Sequence, residues 1–277
     1  MGKHNYGCRF KTMISDWRHR FSSDGHTNQT APFLFVQLAG WHADSPSFGG
    51  SPCMIEGGDA SAGAIGVPTF GGAVPQQRLV QLEALSLPNV GMACTVDLGD
   101  PGGPYWPGSI HPRHKQPVGA RLALEARRIA YGEATLLSRG PQLDKVELLP
   151  TDAPGGSYHS KAVQILRVHW KSTGTDGESD SELMIAAGGF GSVVFVAQLN
   201  NSLSVPCSIM PTNLTASSCD VYCNIGYGWP SAEPHCVQKV NCTVPHVTAL
   251  AHLPFDFPVA AIFNKAGLPA EPFNATL

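Results

Sequence analysis

The sequence predicts a mixed α/β fold in two parts: alternating strands and helices over residues 1–137, then a β-rich, sandwich-like domain over residues 138–277. Three observations predict it. Strand and helix patterns alternate through the first half, the rhythm of an α/β sheet. After about Gly140 the helix patterns vanish, and short apolar runs are separated by Gly, Asp and Ser clusters. The composition is turn-rich, with 30 Gly and 23 Pro in 277 residues, 43% apolar and only 14% charged, which excludes a helical bundle.

Taken in order, residues 33–38 (FLFVQL) read as a short buried strand. Residues 49–75 hold eight Gly and three Pro, and are expected to form a long loop. Pro75 opens a helix over 76–86, with Leu79, Leu82 and Leu85 about one turn apart. A strand follows over 90–98 (VGMACTVDL). A Gly/Pro loop then leads to a helix over 116–131, lined by Val118, Leu122, Ala126 and Ile129 and stopped by Gly132. In the second part, residues 144–149, 162–170 and 183–199 read as strands, the last as two strands around a glycine turn. That stretch is uncharged but falls short of the ~20 residues a membrane helix needs. It is also broken by Gly188, Gly189 and Gly191, so no membrane span is expected.

Net charge of −3 with ample apolar content argues against disorder. A pI near 6.4 gives no field for phosphates, so nucleic acid is not an expected partner. Eight cysteines stand at Cys8, Cys53, Cys94, Cys207, Cys219, Cys223, Cys236 and Cys242. The late cluster, with His235 and His246 nearby, is compatible with zinc or with disulfides. Five of the ten asparagines lie in N-x-S/T sequons (Asn28, Asn200, Asn213, Asn241 and Asn274), where chance gives roughly one or two. This tips the reading to disulfides, N-glycans and a secreted or lysosomal protein, without metal or other cofactor. The first residues lack the apolar run of a signal peptide, and Tyr6 stands where myristoylation needs Ser or Thr.

The chemistry concentrates in residues 96–115, VDLGDPGGPYWPGSIHPRHK. Asp97 and Asp100 fall at the C-terminal end of a predicted strand, where α/β sheets gather ligands. His111 follows on a loop before a helix, the setting for a general base whose tautomer a carboxylate fixes. Trp106 is placed to line a substrate groove, Arg113 to fork onto a carboxylate, and Gln37 to reach the site from its strand. The other tryptophans are expected in the core.

Residues 84–132, ALSLPNVGMACTVDLGD…GSIHPRHKQPVGARLALEARRIAYG, resemble the sialate O-acetylesterase family of SGNH-type hydrolases. The family pattern there is LPNxGMAVxxDxxD followed by IHPxxKQxVxxRLALxAxxxxYG. Residues 8–18 (CRFKTMISDWR), 32–39 (PFLFVQLA) and 263–273 (FNKAGLPAEPF) resemble further family segments. The resemblance implies the C-terminal part of an SGNH-like three-layer α/β/α hydrolase domain, then a small β-sandwich. It also implies removal of O-acetyl groups from sialic acids or related sugars by a serine nucleophile, with His111 as the catalytic histidine. The family's acidic residue two or three positions before that histidine is replaced by Gly108 and Ser109. Asp100, or else Asp97, is expected to take its place. Neither the GQSNM-like nucleophile motif nor WYQGExN occurs in the chain, and Ser51, Ser61, Ser109 and Ser157 lack a strand–turn–helix setting. A missing N-terminal half is therefore expected as partner, and a half-sheet is expected to expose an unpaired edge and an apolar face. The alternative is a catalytically inactive carbohydrate-binding or partner-assembly module.

Overall fold

The computed structural model describes residues 5–23, 25, 27–41, 73–100, 109–150, 163–171, 182–186, 193–210, 213–225, 245–254 and 260–277. They form a mixed α/β structure in which a small parallel sheet with three helices leads into a large antiparallel sheet.

The first element is a helix, α1 (Tyr6–Ser22), which the sequence reading did not single out. Its Phe10 meets the edges of Phe33 and Phe35 at ring-centroid distances of 6.1 and 5.1 Å. Its Arg18, buried, donates to the carbonyls of Pro88 (2.9 Å) and Asn89 (3.4 Å). Strand β1 (Phe33–Val36) runs parallel to β2 (Val90–Ala93). Between them comes α2 (Ala73–Leu82), continued by a 3₁₀ turn over Glu83–Ser86, which together answer the predicted helix. The helix predicted over 116–131 is α3 (Gln116–Ala130), and its Pro117 sits in the first turn, where a missing N–H costs nothing.

The predicted strand over 90–98 ends early, at Ala93. The chain turns there because Thr95 Oγ1 donates to Gln37 O at 2.6 Å, and Leu98 N closes onto Thr95 O at 3.0 Å.

The outward edges of this two-stranded sheet differ from the bare edge that was expected. Alternate residues of β1 and its continuation point away from β2. There Gln81 of α2 accepts from Leu38 N (3.0 Å) and donates to Val36 O (3.3 Å). Arg78 donates to Leu38 O (2.8 Å) and Ala39 O (2.7 Å). On the far side of β2, Met92 N donates to Glu125 Oε2 (3.3 Å), and Arg121 Nη1 donates to Cys94 O (2.8 Å). Helix side chains thus occupy hydrogen-bonding positions that further strands fill in a wider sheet.

The second part carries β3 (Gln142–Leu148), β4 (Val163–Lys171), β5 (Leu183–Ile185), β6 (Val193–Leu199), β7 (Ser204–Ile209), β8 (Ser218–Asn224), β9 (Val247–His252), β10 (Ile262–Asn264) and β11 (Phe273–Thr276). Seven of them make one antiparallel sheet in the order β11-β9-β6-β7-β8-β4-β3. The two strands predicted within 183–199 are present but do not pair with each other. β5 joins β10 in a separate ribbon, whereas β6 lies between β7 and β9.

Both parts share one buried apolar cluster, from Ile14, Phe35 and Met92 to Leu166, Phe195, Val221 and Leu250. The C-terminal segment fastens onto the stretch that leads from α3 into β3. Glu271 N donates to Pro141 O at 2.9 Å, and Arg139 forks onto the Glu271 carboxylate at 2.7 and 2.6 Å. Gly140 packs so closely on Pro269 that a Cβ would stand 1.9 Å from its carbonyl oxygen. Cys207 and Cys223, directly opposite on β7 and β8, form a disulfide, whereas Cys8, Cys94 and Cys219 are free thiols. Cys53, Cys236, Cys242, His235 and the sequon at Asn241 lie outside the described residues.

Candidate active site

Parallel pairing brings the C-terminal ends of β1 and β2 to the same end of the small sheet. The segments that leave them are laced together there. Ser109, buried, donates through Oγ to Gly40 O (3.1 Å), and its own carbonyl accepts from Asp100 N at 2.9 Å. Asp100 accepts from the backbone N (3.2 Å), Nε (2.6 Å) and Nη2 (3.0 Å) of Arg113. These bonds draw together residues 100, 109 and 113, on either side of the sequence that carries Trp106. Between the two anchors, His111 is exposed and Pro112 is buried.

Asp97 is held elsewhere. Arg121 on the first turns of α3 forks onto it at 2.6 and 2.7 Å, and both side chains are largely buried. Burial works against the Arg121 charge. The two hydrogen bonds that Arg121 donates to Asp97, with the carboxylate's opposite charge, nevertheless hold the guanidinium pKa above its ordinary value. Asp97 and Asp100, each expected beside His111, are therefore engaged by Arg121 and Arg113. Among the described residues neither is hydrogen-bonded to His111.

Gln37 is fully buried just past the end of β1. Its amide nitrogen Nε2 donates to Arg78 O at 3.2 Å, and its Oε1 is buried without a hydrogen-bond partner. Trp106 lies outside the described residues, as do Ser51, Ser61, Ser157 and Gly108. Arg121 and Ser109 are the two residues of this network that the sequence reading did not assign. A basic residue five positions after the first residue of the helix that follows Asp97 was the available signal for Arg121.

The cysteine nearest this network is no substitute nucleophile. Cys94 follows β2, and burial, with the charge of Glu271 second, pushes its thiol up to about 12. A thiol held there is protonated at neutral pH and unreactive. Burial likewise pushes Cys219 up to about 11. Among the described residues no group of three His, Cys, Asp or Glu is arranged to hold a metal, and no helix is long and apolar enough to cross a membrane.

No family model matches the chain. The sialate O-acetylesterase of Mus musculus is 35% identical over 162 residues, 58% of this chain and 26% of that protein. The Homo sapiens enzyme of the same name is 38% identical over 146 residues, 52% of this chain and 24% of that protein. The chain is a sequence relative of the sialate O-acetylesterases. It spans about a quarter of the length of these curated relatives, in their C-terminal part. A carbohydrate acetylesterase from Xanthomonas citri shares the fold, with a TM-score of 0.63 at 24% identity, over 98% of this chain and 46% of that one.

Proposed function

We propose that this chain is the histidine-bearing part of a carboxylic ester hydrolase that removes O-acetyl groups from sialic acids or related acetylated sugars. The observation that carries the reading is the exposed His111, presented beyond the C-terminal ends of two parallel strands by a clasp of Asp100, Ser109 and Arg113. On this reading residues 1–137 are the C-terminal portion of an SGNH-like three-layer domain. Residues 138–277 are then a small β-sandwich of a glycosylated, disulfide-bearing protein that is secreted or lysosomal.

In the mechanism His111 takes the proton of a serine hydroxyl as that oxygen attacks the acetyl carbonyl. Backbone and side-chain donors hold the oxyanion, and His111 returns the proton to the departing sugar hydroxyl. Water then enters by the same histidine and releases acetate. Asp100 acts on His111 through the loop that it ties to Arg113, and Asp97 braces the same loop against α3 through Arg121. Trp106, five residues before His111 in the sequence, is the candidate to stack on the sugar ring, whereas Gln37, fully buried, does not reach substrate. Arg113 gives its fork to Asp100 and, if it also meets a sialate carboxylate, does so from that fixed position. The serine comes from a segment outside these 277 residues.

The absence of any GQSNM-like, G-x-S-x-G or GDS motif favours a second reading for the chain acting alone, a non-catalytic carbohydrate-binding or partner-assembly module. One assay separates the two: acetate release from O-acetylated sialic acid by the chain mixed with the N-terminal segment of a related sialate O-acetylesterase. Release is expected from the mixture and not from either piece, and His111→Ala should lower it by about 10³-fold. Release that is insensitive to His111→Ala, or none from a folded mixture, would favour the binding module.

A further inference from the structure

A cleft of about 160 Å³ opens where the first turns of α2 face the end of β9 and the edge strand β11. Gln76 and Leu79, one helical turn apart on α2, line one side. Gln198 of β6 and Pro254 line the other, and Asn274 is the exposed member of the lining. No Asp, Glu, Lys or Arg lines it. The side chains of Gln76 and Gln198, both half-buried, make no hydrogen bond among the described residues.

Two backbone irregularities border this cleft. Leu253, which lines it, has a φ of 52°, the left-handed region that strains a branched side chain, and its N–H is held by Val194 O at 2.8 Å. The pairing of β6 with β9 shifts register between Gln198 and Leu199, an irregularity of the kind that re-aims a side chain. Strain of this sort persists only where the surrounding structure holds it, and it gathers at ligand sites.

The cleft lies toward the same end of the small sheet as His111. α2 follows β1, and its Arg78 donates to Ala39 O at 2.7 Å, beyond the C-terminal end of that strand. The next residue, Gly40, accepts from Ser109 at 3.1 Å, two residues before His111. Successive helical residues point about 100° apart. α2 thus braces the strand end with Arg78 and lines the cleft with Leu79.

The lining selects a class of ligand. A carboxamide both donates and accepts, as a pair of sugar hydroxyls requires, and Leu79 and Pro254 offer apolar surface to the C–H face of a ring. Without a cation, the cleft disfavours a carboxylate, which would lose water and gain no partner. Its volume is well below the roughly 300–1,000 Å³ of a pocket for a drug-sized ligand, which leaves room for one small ring.

We propose that this cleft is a subsite for one neutral sugar ring, the residue to which the acetylated sugar is linked, so that the hydrolase prefers acetylated sugars carried on glycans to the free sugars. The choice of substrate rests on the esterase reading; the sugar site itself does not.

The test has two arms. In the first, the isotope-labelled chain, made in an oxidising bacterial host that adds no glycan to Asn274, is titrated with lactose and followed by NMR. Saturable shifts are expected at the side-chain amides of Gln76 and Gln198 and the methyls of Leu79 and Leu253. Affinity should fall about tenfold in Gln76→Ala/Gln198→Ala, the worth of one or two ordinary hydrogen bonds. In the second, the chain mixed with the N-terminal segment of a related sialate O-acetylesterase receives O-acetylated sialyllactose or free O-acetylated sialic acid. On the linked sugar kcat/KM is expected to be about tenfold higher, and the double variant should bring that ratio near one. No lactose shifts at the cleft overturns the proposal. So does an equal kcat/KM on the two substrates. Lactose shifts without acetate release from either substrate would keep the sugar site and overturn the esterase reading instead, in favour of the carbohydrate-binding module.

Discussion

Glu125 is fully buried in α3 and answers three groups at once. Its Oε2 accepts from Met92 N on the outer edge of β2 and from Arg128 Nη2 (2.9 Å), and its Oε1 accepts from Ser138. The neighbouring backbone is shaped to it, since a Cβ on Gly91 would stand 2.5 Å from Oε2. Truncating this carboxylate would strand a buried N–H and a half-buried guanidinium. Breaking a buried ionic network from one side costs about 3–5 kcal/mol. Glu125→Ala is therefore expected to lower stability by about 3 kcal/mol, read as a shift in urea midpoint with an unchanged m-value. A loss under about 1 kcal/mol would mean that water replaces the carboxylate on β2.

At the scale of elements, legibility in the sequence followed periodicity. α2 and α3 were visible because leucines and other apolar residues recur at helical spacing. α1 carried a comparable line in Phe10, Ile14, Trp17 and Phe21, yet five basic side chains among its 17 residues obscured it. The half-exposed Trp17 and exposed Phe21 show that this line is only partly covered among the described residues. His111 and Asp100 stood out by motif. The partners of Asp100 and Asp97 did not, because Arg113 and Ser109 find the first and Arg121 the second through tertiary geometry that spacing does not encode. Strands β7 to β11 are three to seven residues long and interrupted by sequons and prolines, so no single period marks them. Disulfide pairing was equally hidden, since only register decides which cysteines face each other. Cys207 and Cys223 do, 16 residues apart, and β7 owes its tie to β8 partly to them. Closing a loop of that size is worth about 3 kcal/mol. The Cys207→Ala/Cys223→Ala double variant should lose about 2–3 kcal/mol in chemical denaturation, whereas Cys219→Ala, with no covalent partner, should lose only what its buried volume costs.

Across the whole molecule, pH acts where the second part buries a histidine in its aromatic core. His252 lies among Trp170, Phe195 and Phe273, at ring-centroid distances of 5.3, 4.9 and 5.6 Å. Burial pulls its pKa down to about 4, against an ordinary 6.5, and its hydrogen bond to Glu271 O offsets this only in part. Below pH 6.5 the unfolded chain takes up this proton and the folded chain does not, until about pH 4. The contribution of His252 to stability is therefore complete above 6.5, falls steadily between 6.5 and 4, and levels off below. Its full range is about 3 kcal/mol, at 1.36 kcal/mol per pH unit. Glu271 runs the opposite way. Burial raises its carboxyl despite Arg139, so the folded state takes up that proton first and is favoured as pH falls. The two slopes overlap, which makes the difference between proteins the informative quantity. His252→Phe keeps a ring of similar shape in the aromatic cluster and removes the titration. Compared between pH 7 and pH 4 by thermal or urea unfolding, the wild-type chain should lose about 3 kcal/mol more than the variant. Equal slopes would mean that His252 gains a proton within the fold, and hence that water reaches Nε2. In the endosomal and lysosomal range the protein would then keep the stability that a dry His252 gives up.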